Sequence, residues 1–294
     1  MKYELIIVRY GEIGLKAKAT RQVFENKLIN HVKLAFKKEN IPHQIKRFRG
    51  RIFIYTGQID KSIKILQKIF GITSVSPALK TSSDIDSMIK LAVDISNKNL
   101  TNKNSFALRV TRTGNQNYTS QDIAIKLGSE IVNELGASVN LRNPDFELNI
   151  EIRDESSYFF IEKIRGTGGL PYGSQGKILA LIRSKKDILA SWYILRRGCK
   201  IVFAIKNISL KNIINKFTKH WHLNEPKIII YSNDDIKIIT NKQKCQAVLT
   251  GGTIDDFSEI KKLKEKIQLP ILTPLISMDE KEINEKTKEK GLSL

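Results

Sequence analysis

Gly166-Thr-Gly-Gly-Leu-Pro-Tyr-Gly-Ser-Gln-Gly176 runs into Lys177-Ile-Leu-Ala-Leu-Ile182 and then Arg183-Ser-Lys-Lys-Asp187. The glycine-rich part alone is a weak signal and reads equally as a linker turn. The residues after Gly176 are a sharper signal. Lys177 to Ile182 is an apolar run with the length of a buried strand. Arg183 to Asp187 leads a helix that reaches Arg197, and Gly198 supplies its stop. Cys199 to Ile205 is a second apolar strand.

Upstream, Ile85, Met88, Ile89, Ala92 and Ile95 give helical spacing over Asp84 to Ser96. Ser105 to Arg112 alternates, with Phe106, Leu108 and Val110 inward and Arg109 outward. Arg112 enters the loop Gly114-Asn-Gln-Asn-Tyr-Thr-Ser120, where Thr119 or Ser120 caps a helix over Gln121 to Leu135. Phe146 to Ile152 and Ser157 to Ile161 read as a hairpin. A basic strand end, an Asn/Gln/Tyr loop and a helix start form a platform suited to an RNA backbone.

Further upstream, Leu5 to Val8 is a short buried strand ending at Arg9-Tyr-Gly-Glu-Ile-Gly-Leu-Lys16. A helix over Thr20 to Lys38 places Val23, Leu28, His31, Leu34 and Phe36 near one side, with His31 read as a packed helix residue. Ile52 to Tyr55 is a strand. Arg47, Arg49 and Arg51 alternate, so they are expected on one side of an extended segment with Phe48 between them. That arrangement suits phosphate, and suits equally an edge strand kept soluble by charge. A helix over Ile59 to Phe70 completes a strand–helix–strand–helix unit of α+β type.

The chain has 294 residues, enough for two domains or three small ones. A hydrophobic fraction of 41% excludes a disordered polybasic tail. Two cysteines, Cys199 and Cys245, exclude a disulfide-dense scaffold, and no CxxC is present for zinc. No apolar run reaches the ~18 residues of a membrane span. A soluble, cytoplasmic protein with no membrane partner and no metal is expected.

Fifty Lys and Arg against thirty Asp and Glu leave a charge of +20, which calls for an acidic partner such as nucleic acid. Residues 177–244 carry 15 basic and 4 acidic side chains, whereas 245–294 carry 8 and 9. A composition bias toward Lys, Ile and Asn would not leave the last segment neutral.

Four stretches together resemble the tRNA 4-thiouridine synthetase family. They are Arg9 to Lys16, Asn143-Pro-Asp-Phe-Glu-Leu148 through Glu162-Lys-Ile-Arg-Gly166, Gly168-Gly-Leu-Pro-Tyr-Gly173, and Leu269-Pro-Ile-Leu-Thr-Pro-Leu-Ile-Ser-Met-Asp279. The resemblance implies a mixed α/β and α+β chain. Its parts are a ferredoxin-like N-terminal domain (1–75), a THUMP RNA-binding domain (76–165), a connector (166–176) and a shortened Rossmann-like PP-loop domain (177–294). It implies tRNA as partner and a homodimer, since relatives pair through the first two domains.

The departures shape the functional expectation. Where the family has Ser-Gly-Gly-x-Asp-Ser around ATP phosphates, this chain has Arg183, Ser184, Lys185, Lys186 and Asp187. Side chains at the glycine positions are expected to fill the phosphate volume. The family's Gly-Glu-Ser-Leu-Gly-Gln corresponds to Gly251-Gly-Thr-Ile-Asp-Asp256, and a helix inserted before that segment is absent. The family's sulfur-carrying cysteine lies beyond the last segment of this chain, and Cys199 and Cys245 read as core residues. His220 and His222 close a helix and match no metal pattern.

The expectation is a tRNA-binding protein without its own adenylation or sulfur transfer and without a cofactor. It would assist tRNA modification beside a separate catalytic chain. Arg47, Arg49, Arg51, Arg109, Arg112, Lys185 and Lys186 are its expected RNA contacts. Two alternatives stand beside it. One is an active or split tRNA 4-thiouridine synthetase using ATP and magnesium; the other is a protein for RNA other than tRNA.

Overall fold

The computed structural model describes residues 2–48, 50–224, 226–232 and 235–292. Arg49 lies outside them. Helices α1 to α4 span Lys18–Lys38, Ile59–Leu66, Ile85–Asn97 and Ser120–Leu135. Helices α5 to α9 span Lys185–Arg196, Leu210–His220, Ile236–Gln243, Phe257–Lys266 and Glu280–Glu289. By compactness the chain forms two units. One comprises Met1–Val8, Pro42–Ile63 and Val75–Ile164; the other comprises Arg9–Ile41, Lys64–Ser74 and Arg165–Leu294.

The first unit is built on a mixed sheet of β1 (Leu5–Tyr10), β2 (Gln44–Phe48), β3 (Arg51–Tyr55), β4 (Ile72–Ser82), β5 (Ser105–Thr113), β6 (Ser138–Val139), β7 (Phe146–Arg153) and β8 (Ser156–Phe160). Their order is β2-β3-β1-β4-β8-β7-β5-β6, and β9 (Ile164–Arg165) pairs with β4. Helices α3 and α4 bury Met88, Ala92, Ile95, Ile123, Leu127 and Ile131 against Phe106, Leu148, Ile150 and Phe159. Asp84 caps α3 by accepting from Ser87 N–H, and Thr119 with Asp122 forms a capping box on α4.

The second unit holds five parallel strands: β10 (Lys177–Ile182), β11 (Lys200–Ile205), β12 (Lys227–Ile230), β13 (Ala247–Leu249) and β14 (Ile271–Leu272), ordered β12-β11-β10-β13-β14. The pleat divides their side chains between two cores. Ile178, Ala180, Ile182, Ile201 and Phe203 face Trp192 of α5, Phe217 of α6 and Ile283 of α9. Leu179, Leu181, Val202 and Ala204 face Ile236 and Ile239 of α7 and Leu263 of α8. Helices therefore cover both faces, which is why these strands read as unbroken apolar runs.

The glycine-rich stretch is no free linker. Gly168 N–H donates to Ile72 O and Leu170 N–H to Arg196 O. A Cβ on Gly169 would lie 2.1 Å from the Arg196 carbonyl oxygen, and its φ is +76°.

Two local expectations are corrected. Val23 and Leu34 are exposed on α1, whose buried side is Phe24, Leu28, His31, Val32, Ala35 and Phe36. Arg47 and Arg51 do not alternate along one strand. The chain reverses after Phe48, so Arg47 stands opposite Ile52 and Phe48 opposite Arg51. The pleat then sends Arg47 and Arg51 to opposite faces.

His31 is buried as expected, and its Nε2 lies 2.8 Å from the carbonyl oxygen of His222, to which it donates. Its Nδ1 is buried with no partner among the described residues. Burial pushes the His31 pKa down, and burial, helped by Lys68, pushes His222 down to about 4. The unfolded chain protonates these rings near pH 6.5. Between about pH 6.5 and 4 the unfolded state therefore binds more protons, and stability present above that range is lost as pH falls. The melting temperature is expected to drop between pH 7 and 4.5. His222→Asn, which suits the φ of +48°, should flatten that drop.

Candidate functional site

Four residues that each follow the end of a parallel strand come together in the second unit. They are Arg183 after β10, Lys206 after β11, Tyr231 after β12 and Thr250 after β13. With Leu181, Ile236 and the Glu259–Lys266 face of α8 they enclose a crevice of about 260 Å³. Strand order reverses between β10 and β13, so this is the switch point where open α/β sheets place ligands. Lys262 and Lys266 add two further cations to the rim. Lys206 Nζ lies 5.9 Å from the Tyr231 ring centre, and burial raises the Tyr231 hydroxyl pKa.

Beside the crevice the β10–α5 turn is fixed from within. Asp187 is fully buried at the third position of α5. Its Oδ2 accepts from Arg183 N–H and Ser184 N–H, both at 2.9 Å, and from Ser184 Oγ at 3.3 Å. Its Oδ1 accepts from Gly251 N–H at 2.7 Å, tying α5 to the end of β13. A Cβ on Gly251 would lie 2.8 Å from Asp187 N, so only glycine allows this approach. The turn amides that would cradle a phosphate are thus engaged by a carboxylate.

The cations of the loop are unequal. The Arg183 guanidinium holds Glu259 at 2.9 Å and Thr250 Oγ1 at 2.7 Å. Lys186 Nζ holds Asp256 at 2.7 Å, and that bond is the main reason the Asp256 carboxyl titrates below its usual range. Lys185 is exposed. The loop is therefore less positive than its sequence suggests.

The arginines of the first unit are likewise placed by acceptors. Arg51 Nε lies 3.0 Å from the buried carboxylate of Glu151, which Arg153 also meets at 3.4 Å. Arg109 bonds Glu147 at 2.7 Å and Leu141 O at 2.9 Å, and the Glu147 carboxyl is pushed down chiefly by that guanidinium. Arg112 Nη1 donates to Gly114 O and Gln116 Oε1, both at 3.0 Å, and so shapes the loop before α4. Arg51→Met would take from the buried Glu151 carboxylate the guanidinium that lies 3.0 Å away. It is expected to cost about 2 kcal/mol, read as an earlier urea midpoint.

Cys245 is buried and Cys199 half-buried, and burial pushes both thiols up, away from the reactive thiolate. Among the described residues no group of three His, Cys, Asp or Glu could hold a metal, and no helix is long and apolar enough to cross a membrane.

Lys206, Tyr231, Lys262 and Lys266 are absent from the sequence expectations. The signal lay in the strand ends, since Ile182 and Ile205 were readable as last strand residues and the next position faces the crevice.

The ThiI ferredoxin-like domain matches residues 5–76 and the THUMP domain residues 82–162. A probable tRNA sulfurtransferase of Methanocaldococcus jannaschii is 32% identical, with 97% of this chain aligned to 87% of that one. The chain belongs to the tRNA sulfurtransferase family. The alignment runs over 334 positions, more than the 294 residues here, so that relative carries segments this family member lacks. A probable tRNA sulfurtransferase of Methanothermobacter thermautotrophicus is 38% identical over 69% of this chain and 52% of its own length. The fold matches that of PH1313 from Pyrococcus horikoshii, with a TM-score of 0.85, 26% identity and coverage of 98% and 99%. It also matches a 4-thiouridine synthetase–RNA complex with bound ATP, with a TM-score of 0.81, 24% identity and coverage of 99% and 85%.

These matches overturn the expectation of a chain that uses no cofactor. Relatives aligned over nearly the whole chain are named for sulfur transfer to tRNA, and a structure of the same fold is one with ATP bound. Nothing in them supports a loss of catalysis. The side chains that stand at the glycine positions leave the crevice open, and Lys206, Lys262 and Lys266 over its apolar floor fit a nucleotide polyphosphate.

Proposed function

We propose that this family member is an ATP-dependent tRNA sulfurtransferase. The cation-rimmed crevice at the switch point of the parallel sheet carries the reading. ATP supplies the activation that lets sulfur replace an oxygen on a tRNA base. Lys206, Lys262 and Lys266 neutralise phosphate charge, in place of loop amides that Asp187 engages. Arg183, held between Thr250 and Glu259, fixes the mouth of the crevice, and the Leu181–Ile236 floor excludes water from the base ring. The THUMP domain binds tRNA, with Arg47, Arg109 and Arg112 as contacts of the first unit and Lys185 as a contact of the second, while Arg51 and Lys186 stay on Glu151 and Asp256.

Calorimetry with ATP and magnesium, with and without a tRNA transcript, tests this reading. Binding that weakens at least tenfold in Lys206→Met supports it. No ATP heat in the presence of tRNA overturns it.

A further inference from the structure

Two motifs that the nucleotide crevice does not use meet elsewhere in the second unit. The Arg9–Lys16 turn brings Gly11 and Glu12, and the glycine-rich stretch brings Arg165 to Gly169, to a pocket of about 330 Å³. Arg196, the last residue of α5, completes the lining. Arg183 lies just before the start of α5, so the pocket and the crevice are about one twelve-residue helix apart, roughly 18 Å.

Arg196 is held in place without being neutralised. Its Nε donates to Thr167 O at 3.1 Å, and its guanidinium carbon lies 5.8 Å from the Trp192 ring centre. Nη1 and Nη2 meet no acceptor among the described residues. Arg165 lines the same pocket, exposed, with no side-chain partner among the described residues. Arg51, Arg109, Arg112 and Arg183, by contrast, all direct guanidinium nitrogens at internal acceptors. A cation in the last turn of a helix is ordinarily explained by the helix dipole. That explanation does not account for a fork clamped at Nε, or for a second arginine beside it.

Glu12 lines the pocket without an ion pair to either arginine among the described residues. A carboxylate in an anion site is an acceptor for a neighbouring hydroxyl. A phosphate on two guanidiniums and a 2′-hydroxyl on a carboxylate together make a ribose-phosphate unit.

We propose that this pocket binds one ribose-phosphate of the RNA backbone, apart from the nucleotide crevice, with Arg196 and Arg165 on the phosphate and Glu12 on the 2′-hydroxyl. The assignment rests on the tRNA reading above. Its test uses the full chain, with Arg165→Gln, which touches no packing, and Arg196→Lys, which keeps charge and loses the fork. Each variant is expected to weaken binding of a tRNA transcript roughly tenfold, and Arg165→Gln to lower the salt slope by about 0.7–0.9. An all-DNA copy of the transcript should show a smaller loss in Glu12→Gln than the RNA does.

A second arm titrates inorganic phosphate against tryptophan emission, since Trp192 lies beneath Arg196. A change that vanishes in Arg196→Lys supports the pocket as a phosphate site. Unchanged RNA affinity in both variants, beside a wild type that binds tRNA, overturns the proposal alone. A wild type that fails to bind tRNA overturns the functional reading and the RNA source together. The phosphate arm would then separate a site for free anions from no site at all.

Discussion

Asp187→Ala is expected to lower the melting temperature by roughly 6–12 °C, from a loss of about 3 kcal/mol spread over a chain of this size. The carboxylate accepts from three backbone N–H groups and one hydroxyl and is wholly buried. Alanine would leave Arg183, Ser184 and Gly251 amides without acceptors, and each buried orphan costs about 1–3 kcal/mol. It would also remove the N-terminal capping box of α5. Asp187→Asn retains one acceptor oxygen and should fall between the two. Differential scanning calorimetry reads all three proteins. A melting point for Asp187→Ala within 2 °C of wild type would show that the seam between α5 and β13 is held by something else. The same seam predicts that Gly251→Ala is poorly tolerated, because its Cβ meets backbone rather than a movable side chain.

Raising monovalent salt from 50 to 200 mM is expected to weaken tRNA binding between a few hundredfold and ten-thousandfold. The range comes from five to eight phosphate contacts at about 0.9 each, a slope of roughly −4 to −7. The proposed contacts come from the arginines of the first unit and from the segment 177–244, with 15 basic and 4 acidic residues, whose Arg183 and Lys186 would have to leave an internal carboxylate to reach a phosphate. Fluorescence anisotropy of a labelled transcript across a salt series gives the slope directly. A slope flatter than −2 would show that phosphate contacts do not dominate this interface.

Much of the fold was legible because its signals are local. The runs Lys177–Ile182 and Cys199–Ile205 are strands because both faces of the parallel sheet are covered, and Thr119 and Gly198 mark helix ends through their own chemistry. Long-range pairings left no such trace. Lys186 and Asp256 are seventy positions apart, and Arg51 and Glu151 a hundred, so a count of charges overstated the free cations. The Arg47–Arg51 expectation failed because a chain reversal breaks the period of two without breaking the run of basic residues. The cofactor expectation failed for a related reason. Counting missing glycines addressed how loop amides hold a phosphate, while the crevice is lined by side chains from the ends of four separate strands.

The place of α1 has a consequence during synthesis. Its Lys27 donates to Gly173 O, and His31 meets Tyr172 and His222, all within a unit whose later part begins at Arg165. A ribosome adding about 5–20 residues per second needs roughly 6–25 s to travel from the end of that helix to Arg165. Throughout that interval Lys27 and His31 lack Gly173, Tyr172 and His222, so the contacts that tie this helix to the later part of its unit form only after residue 222 has emerged.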